Sequence, residues 1–110
     1  MGYRNKVWDT ATTDAYQSTT KAYVLNWGKK LIYIKNNHVT NGITYIIYAE
    51  ADSRDTTDST HSLLTATDLA AGATARYTTE YPWDTLYVTV KNQVGGSDAS
   101  AVMWINGGAE

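Results

Sequence analysis

Cysteine is absent from the 110 residues, which together excludes a disulfide framework, thiolate metal sites, iron–sulfur ligation and cysteine nucleophiles. Phenylalanine is absent too, and proline occurs once, at Pro82. Neither sign of charge dominates: nine basic side chains stand against eleven acidic ones, for a formal net charge of -2. So close a balance removes the field that nonspecific nucleic-acid binding or a polybasic membrane anchor requires, and neither partner is expected. Long apolar runs are missing. The longest, Ile43 to Ala51, is interrupted by Thr44 and Glu50 and has about half the length of a membrane-spanning helix. Met1-Gly2-Tyr3-Arg4-Asn5-Lys6 lacks the apolar core of a secretory signal, and Lys6 stands where a myristoylation motif needs Ser or Thr. A soluble protein without a signal peptide is expected.

What the chain does contain is strand vocabulary. There are seventeen Thr, nine Tyr and four Trp, so nearly every large side chain carries a polar atom that must reach water or a partner. Thr, Tyr, Trp, Val and Ile suit a pleated, half-buried sheet, and the strong helix formers are sparse. A chain of this length buries roughly two-thirds of its unfolded surface, enough for one compact domain.

Period-two alternation is clearest in Leu86-Tyr87-Val88-Thr89-Val90-Lys91, where Leu86, Val88 and Val90 point one way. Ile43 to Ala51 is apolar on both faces and reads as a central strand. Leu31 to Lys35 precedes it through Asn36 to Gly42, whose Asn41-Gly42 is a turn signal, so the two strands form a hairpin or bridge two sheets. Ala22 to Trp27 reads as a strand that turns at Gly28-Lys29-Lys30 into Leu31. Ser62 to Thr67, Ala73 to Thr79 and Ser100 to Asn106 complete the set, with Gly72 closing the turn between the first two. Pro82 suits the entry to the Leu86 strand, where no ladder donor is needed.

Seven or eight short strands at this spacing predict an all-β fold, an antiparallel β-sandwich of immunoglobulin-like or jelly-roll type. One helical alternative, Thr67 to Ala75, is interrupted by Gly72. Residues 1–20 are polar and Thr-rich and read as an N-terminal segment, either an edge strand or an arm. Residues 21–110 read as a single sandwich domain.

Catalytic chemistry is hard to assemble from these residues. The two histidines, His38 and His61, sit in polar loop contexts without a close second ligand, and no G-x-S-x-G elbow occurs. Glu50, Asp52, Asp55 and Asp58 supply oxygens of the kind calcium takes, yet their spacing departs from the calcium-loop pattern and better suits a solvated turn. Gly95-Gly96-Ser97 lacks the lysine and helix of a phosphate loop. No catalytic residue, metal site or cofactor is assigned, and a non-enzyme is expected.

The aromatic residues are more informative. Four Trp and nine Tyr exceed what a small core takes fully inside, so several are expected at the surface or against a partner. Tyr3, Trp8 and Tyr16 are the expected docking anchors of the N-terminal segment, and Trp83 and Trp104 are expected core or interface residues. The competing structural reading has Trp27, Trp83 and Trp104 capping the ends of the sandwich.

The Thr-rich opening, Ile34-Lys35-Asn36, the Asn-Gly turn into Ile43-Thr44-Tyr45, the stretch Asp68 to Thr74, the strand Trp83 to Val90 and the closing segment Val102 to Gly107 follow in an order that resembles small β-sandwich accessory proteins of tailed viruses. That resemblance implies a virion structural protein that decorates a capsid or tail, with a capsid or other virion protein as partner and self-association into a homo-oligomer. The alternative of a different class is a carbohydrate-binding module that stacks exposed Trp and Tyr on sugar faces.

Overall fold

The computed structural model describes residues 3–25, 27–51 and 60–109, with side chains given for those between 7 and 107. Among these residues nine strands follow one another: β1 (Tyr3–Ala11), β2 (Gln17–Ser18), β3 (Ala22–Tyr23), β4 (Trp27–Asn36), β5 (Ile43–Glu50), β6 (Thr60–Leu69), β7 (Thr74–Thr79), β8 (Thr85–Asn92) and β9 (Ser100–Ala109). No helix occurs among the described residues. One sheet has the order β1-β9-β4-β7 and the other β2-β8-β5-β6, with β3 continuing beside β8 on the β2 edge. Every pairing is antiparallel.

If β2 and β3 are counted as one position, the partners nest: β1 with β9, β2/β3 with β8, β4 with β7, and β5 with β6. This is the jelly roll, two antiparallel sheets wound from one long folded ribbon, and it settles which of the two expected sandwiches the chain adopts. The Asn36–Gly42 connection therefore bridges the sheets, since β4 and β5 lie in different layers.

Alternation builds the core. Leu86, Val88 and Val90 of β8 and Ile43, Ile47 and Ala49 of β5 face Ile32 and Ile34 of β4 and Ala101, Met103 and Ile105 of β9, all at most 1% exposed. Each large aliphatic buried this way contributes about 1.5–3 kcal/mol of transfer free energy. The segment Thr67 to Ala75 is extended at both ends. Leu69 finishes β6, Gly72 turns with φ of 75°, a conformation that costs glycine little, and Thr74 opens β7.

One expectation fails. Gly28-Lys29-Lys30 is part of β4, and the expected Ala22 to Trp27 strand is divided: Ala22–Tyr23 form β3, and Trp27 already opens β4. The chain turns earlier, where the Trp27 amide donates to the Val24 carbonyl at 2.9 Å. Trp27 then lies over Gly107 of β9, where a Cβ would come within 2.5 Å of the indole, so the pair fixes the strand's entry. A register shift between Trp27 and Lys30 follows and leaves Lys30 fully buried.

The end of the sandwich where β4 runs toward β5 is held by amides. Asn92 donates through Nδ2 to Asp14 and Asp98 and accepts from the Thr12 hydroxyl through Oδ1. Asn36 donates to the carbonyls of Asn41 and Leu69 and accepts from the His38 amide. His38 Nδ1 in turn accepts the amides of Thr40 and Asn41, which makes this histidine a turn cap.

Candidate functional site

On the outer face of the first sheet the antiparallel register aligns one residue from each strand. Val7 of β1 lies opposite Trp104 of β9, Trp104 opposite Tyr33 of β4, and Tyr33 opposite Arg76 of β7. Their neighbours Met103, Ile32 and Ile34 point inward, so these four point outward. The Trp104 and Tyr33 rings meet edge to face with centroids 4.8 Å apart, and the Arg76 guanidinium lies 4.8 Å from the Tyr33 centroid. Such contacts are worth about 0.5–1.5 kcal/mol each and order the side chains in advance of any contact. Val7 is 52% exposed at the free edge, so the row runs from an apolar rim to a cation.

The second sheet carries tyrosines. Tyr48 and Tyr87 stack across β5 and β8 with centroids 5.1 Å apart, Lys91 lies over the Tyr16 ring, and Tyr23 is exposed. Beside them Glu50 is buried, accepting from the Lys21 ammonium at 3.0 Å and the Thr85 hydroxyl at 2.5 Å. The hydrogen bond to Glu50 raises the Lys21 pKa above its ordinary value, and burial together with the Glu50 charge raises that of the Tyr87 phenol.

The end remote from the amide network is charged and aromatic. Lys30 donates to the carbonyls of Gly28 and Tyr81, both at 2.9 Å. Tyr81 and His61 flank Trp83, with centroids 4.5 and 5.4 Å from its ring, and the buried Trp83 Nε1 has no hydrogen-bond partner among the described residues.

A fourth feature opens on the flank of the sandwich, between β1 at the edge of the first sheet and β2 at the edge of the second. It is a cleft of about 210 Å³ bordered by Trp8, Asp9 and Thr10 on one side and Gln17 to Thr20 on the other, with Met103 among its lining residues.

The aromatic residues singled out in the sequence do not converge. Trp8 lines the flank cleft, Tyr16 sits at the edge of the second sheet, Trp83 belongs to the charged end, and Trp104 is central in the row on the first sheet. Tyr3 pairs with Gly108 through its backbone, and its side chain is outside the described set. Of the sandwich-capping candidates, Trp27 and Trp83 lie at an end and Trp104 does not. His38 and His61 are at opposite ends and cannot share a ligand. Asp52, Asp55 and Asp58 fall outside the described residues, and Glu50 is engaged by Lys21 and Thr85. Among the described residues no group of three or more His, Asp or Glu is placed to hold a metal ion, and no helix is long and apolar enough to cross a membrane. Tyr33, Arg76, Tyr48, Tyr87 and Lys21 were not foreseen as site residues. Their outward alternation was readable, but not which strands would lie side by side.

No protein-family model matches the chain, and no curated protein matches it. Solved structures do. The PBSX exported protein XepA is 15% identical with a TM-score of 0.67, aligned over 97% of this chain and 37% of XepA. A chain from the disulfide-linked pili of Bacillus endospore appendages is 15% identical with a TM-score of 0.60, over 99% of this chain and 88% of that one. The SPBc2 prophage-derived protein YomS is 9% identical with a TM-score of 0.52, over 96% of each chain. Chains of other description, PirA and a Yersinia pseudotuberculosis-derived mitogen among them, share the architecture as well. At these identities the likeness is one of fold.

Proposed function

We propose that the protein is a non-enzymatic structural component of a virion, which decorates or reinforces a capsid or tail through protein–protein contacts and assembles as a homo-oligomer. The observation that carries this reading is the row Val7, Trp104, Tyr33 and Arg76, which crosses all four strands of the first sheet. Trp, Tyr and Arg are the residues that dominate binding energy at protein interfaces, and here packing against one another holds them ready. The fold shared with a prophage-derived protein and with a chain of endospore pili supports a structural role. Attachment works by addition of area: each copy contributes a modest contact, and a symmetric array of copies converts modest contacts into avidity.

Light scattering of the purified protein, with co-sedimentation on particles from its source, tests the reading. A discrete oligomer or a particle-bound fraction is expected. Substituting Tyr33→Ala together with Trp104→Ala should weaken attachment at least about tenfold, roughly 1.4 kcal/mol, while the circular-dichroism spectrum stays that of a sheet protein. A monomer inert toward every particle offered to it contradicts the proposal.

A further inference from the structure

The two sheets end differently at their edges. In the second sheet β6 has two register shifts against β5, and the opposite edge is divided into β2 and β3 of two residues each. Bulges and short edge strands keep further strands from adding. The first sheet has neither device. Its β1 pairs with β9 over nine residues and its β7 with β4 over six, both without a shift, and nothing among the described residues pairs with their outer sides.

Strand direction alternates across β1-β9-β4-β7, so the two outer strands run opposite ways. A second copy set beside the first in the same orientation therefore brings its β1 against β7 as an antiparallel partner. Charge favours this pairing over either edge meeting its own copy. If β1 meets a second β1 in one continuous sheet, positions 3, 5, 7, 9 and 11 oppose one another, and they hold Asp9 but no cation. If β7 meets a second β7, positions 74, 76 and 78 oppose one another, and they hold Arg76 but no acid. Of the three, only β1 against β7 sets opposite charges face to face, the arrangement that stabilises a cross-strand pair. With Asp9 opposite Arg76, Val7 falls opposite Thr78 and Trp8 opposite Tyr77, and all six residues of β7 are paired. Asp9 and Arg76 form no ion pair with other described residues, and Val7 is exposed. Trp8 and Tyr77 are half-buried aromatics that pack on the core from the two edges, so each covers what the other leaves open.

We propose that copies of the chain associate head to tail, with β1 of one copy adding to β7 of the next to continue the first sheet and Asp9 lying opposite Arg76 across each junction. The inference rests on the homo-oligomer of the proposed function and names its interface. Such a contact is heterologous, so it closes into a ring or continues as a row of copies. Either way the Val7–Arg76 rows of successive copies follow one another on one surface, displaced by two residues at each junction.

Engineered cysteines test the junction, since the chain has none of its own. Directly opposed residues of antiparallel strands have Cα atoms about 4.5–5.5 Å apart, within disulfide range. Within one copy three strand spacings of roughly 4.8 Å separate positions 9 and 76, too far to bridge. Asp9→Cys and Arg76→Cys chains, mixed and oxidised, should form far more disulfide dimer than either alone, and the double variant should form a ladder of multimers. Separately, Asp9→Arg should weaken self-association severalfold by light scattering, and adding Arg76→Glu to the same chain should restore it, with the circular-dichroism spectrum of a sheet protein throughout. Dimers that form as readily from one cysteine variant alone overturn the proposal, as does a charge swap that restores nothing. An oligomer without the mixed cross-link overturns it while the homo-oligomer itself stands. A monomer at every concentration that still sediments with particles overturns it while attachment to a capsid or tail stands.

Discussion

At the end of the sandwich that contains Asn36 and Asn92, the buried polar side chains are amides and hydroxyls: Thr12, Asn36, Thr44 and Asn92. At the opposite end they are Lys30, Glu50 and Thr85, with the Trp83 indole nitrogen left over. Both ends face the same task of closing a gap between two sheets where strands run out and backbone groups need partners. Amides accomplish it with uncharged side chains in the interior, since each provides donors and an acceptor at once, and the carboxylates that Asn92 donates to, Asp14 and Asp98, stay exposed to solvent. The other end uses ions, which hold carbonyls and hydroxyls strongly but depend on pH and on every partner being present. The difference separates a lock from an end that is sensitive to its surroundings.

The largest effect should come from opening the lock. Asn92→Ala removes one acceptor and two donor contacts, to Thr12, Asp14 and Asp98, and should cost about 3 kcal/mol by urea denaturation. Lys30→Met tests the ionic end, because the Gly28 and Tyr81 carbonyls lose their donor while the volume is kept. A loss of about 2 kcal/mol is expected, and a neutral result would mean that charge at this end is not structural.

A pH series sharpens the contrast further. Lys21 has a raised pKa, so its contribution is complete below the unfolded value and is lost as pH climbs through the folded one. Tyr87 is raised by burial, as is Tyr45 in the core, so the fold favours their neutral phenols and resists ionisation. All three point the same way, and stability should decline above about pH 10. The decline should be shallower in Lys21→Met and Tyr87→Phe. At the amide end Asp14 has a lowered pKa, chiefly through the Gly96 amide and then Asn92. Its contribution is present above the ordinary carboxylate value and fades as pH falls through the folded one, so Asp14→Asn should flatten the acid limb. The smallest effect is expected from Trp83→Phe. It deletes the orphaned N–H along with some ring area, and the melting curve should move by no more than about 1 kcal/mol equivalent.

Much of the architecture was written in local pattern. The alternation of Leu86 to Lys91 and the two apolar faces of Ile43 to Ala51 are where β8 and the central strand β5 lie, and Gly72 turns as a glycine there should. What pattern does not carry is adjacency. Trp104 and Tyr33 are seventy-one positions apart, and only the β4–β9 register makes them neighbours. Gly28-Lys29-Lys30 misleads for a related reason. Glycine followed by two lysines has the composition of an exposed turn, and it is pairing with Thr79 and with Gly107 to Ala109, distant in the chain, that keeps it in a strand. Lys30 is then buried against the usual rule for lysine. Glu50 was visible as a carboxylate, but its partners Lys21 and Thr85 come from distant segments.

The pairing of β1 with β9 also bears on how the molecule comes together in time. Joining strands from opposite extremes of the chain closes a loop of nearly the whole polypeptide, and the entropy of that closure is lost before any ladder bond offsets it. Folding should therefore be slow, in the millisecond-to-second range of topologies dominated by distant contacts. Throughout that interval β1 waits without its mate, and of the nine described strands it is the one longest exposed to mispairing.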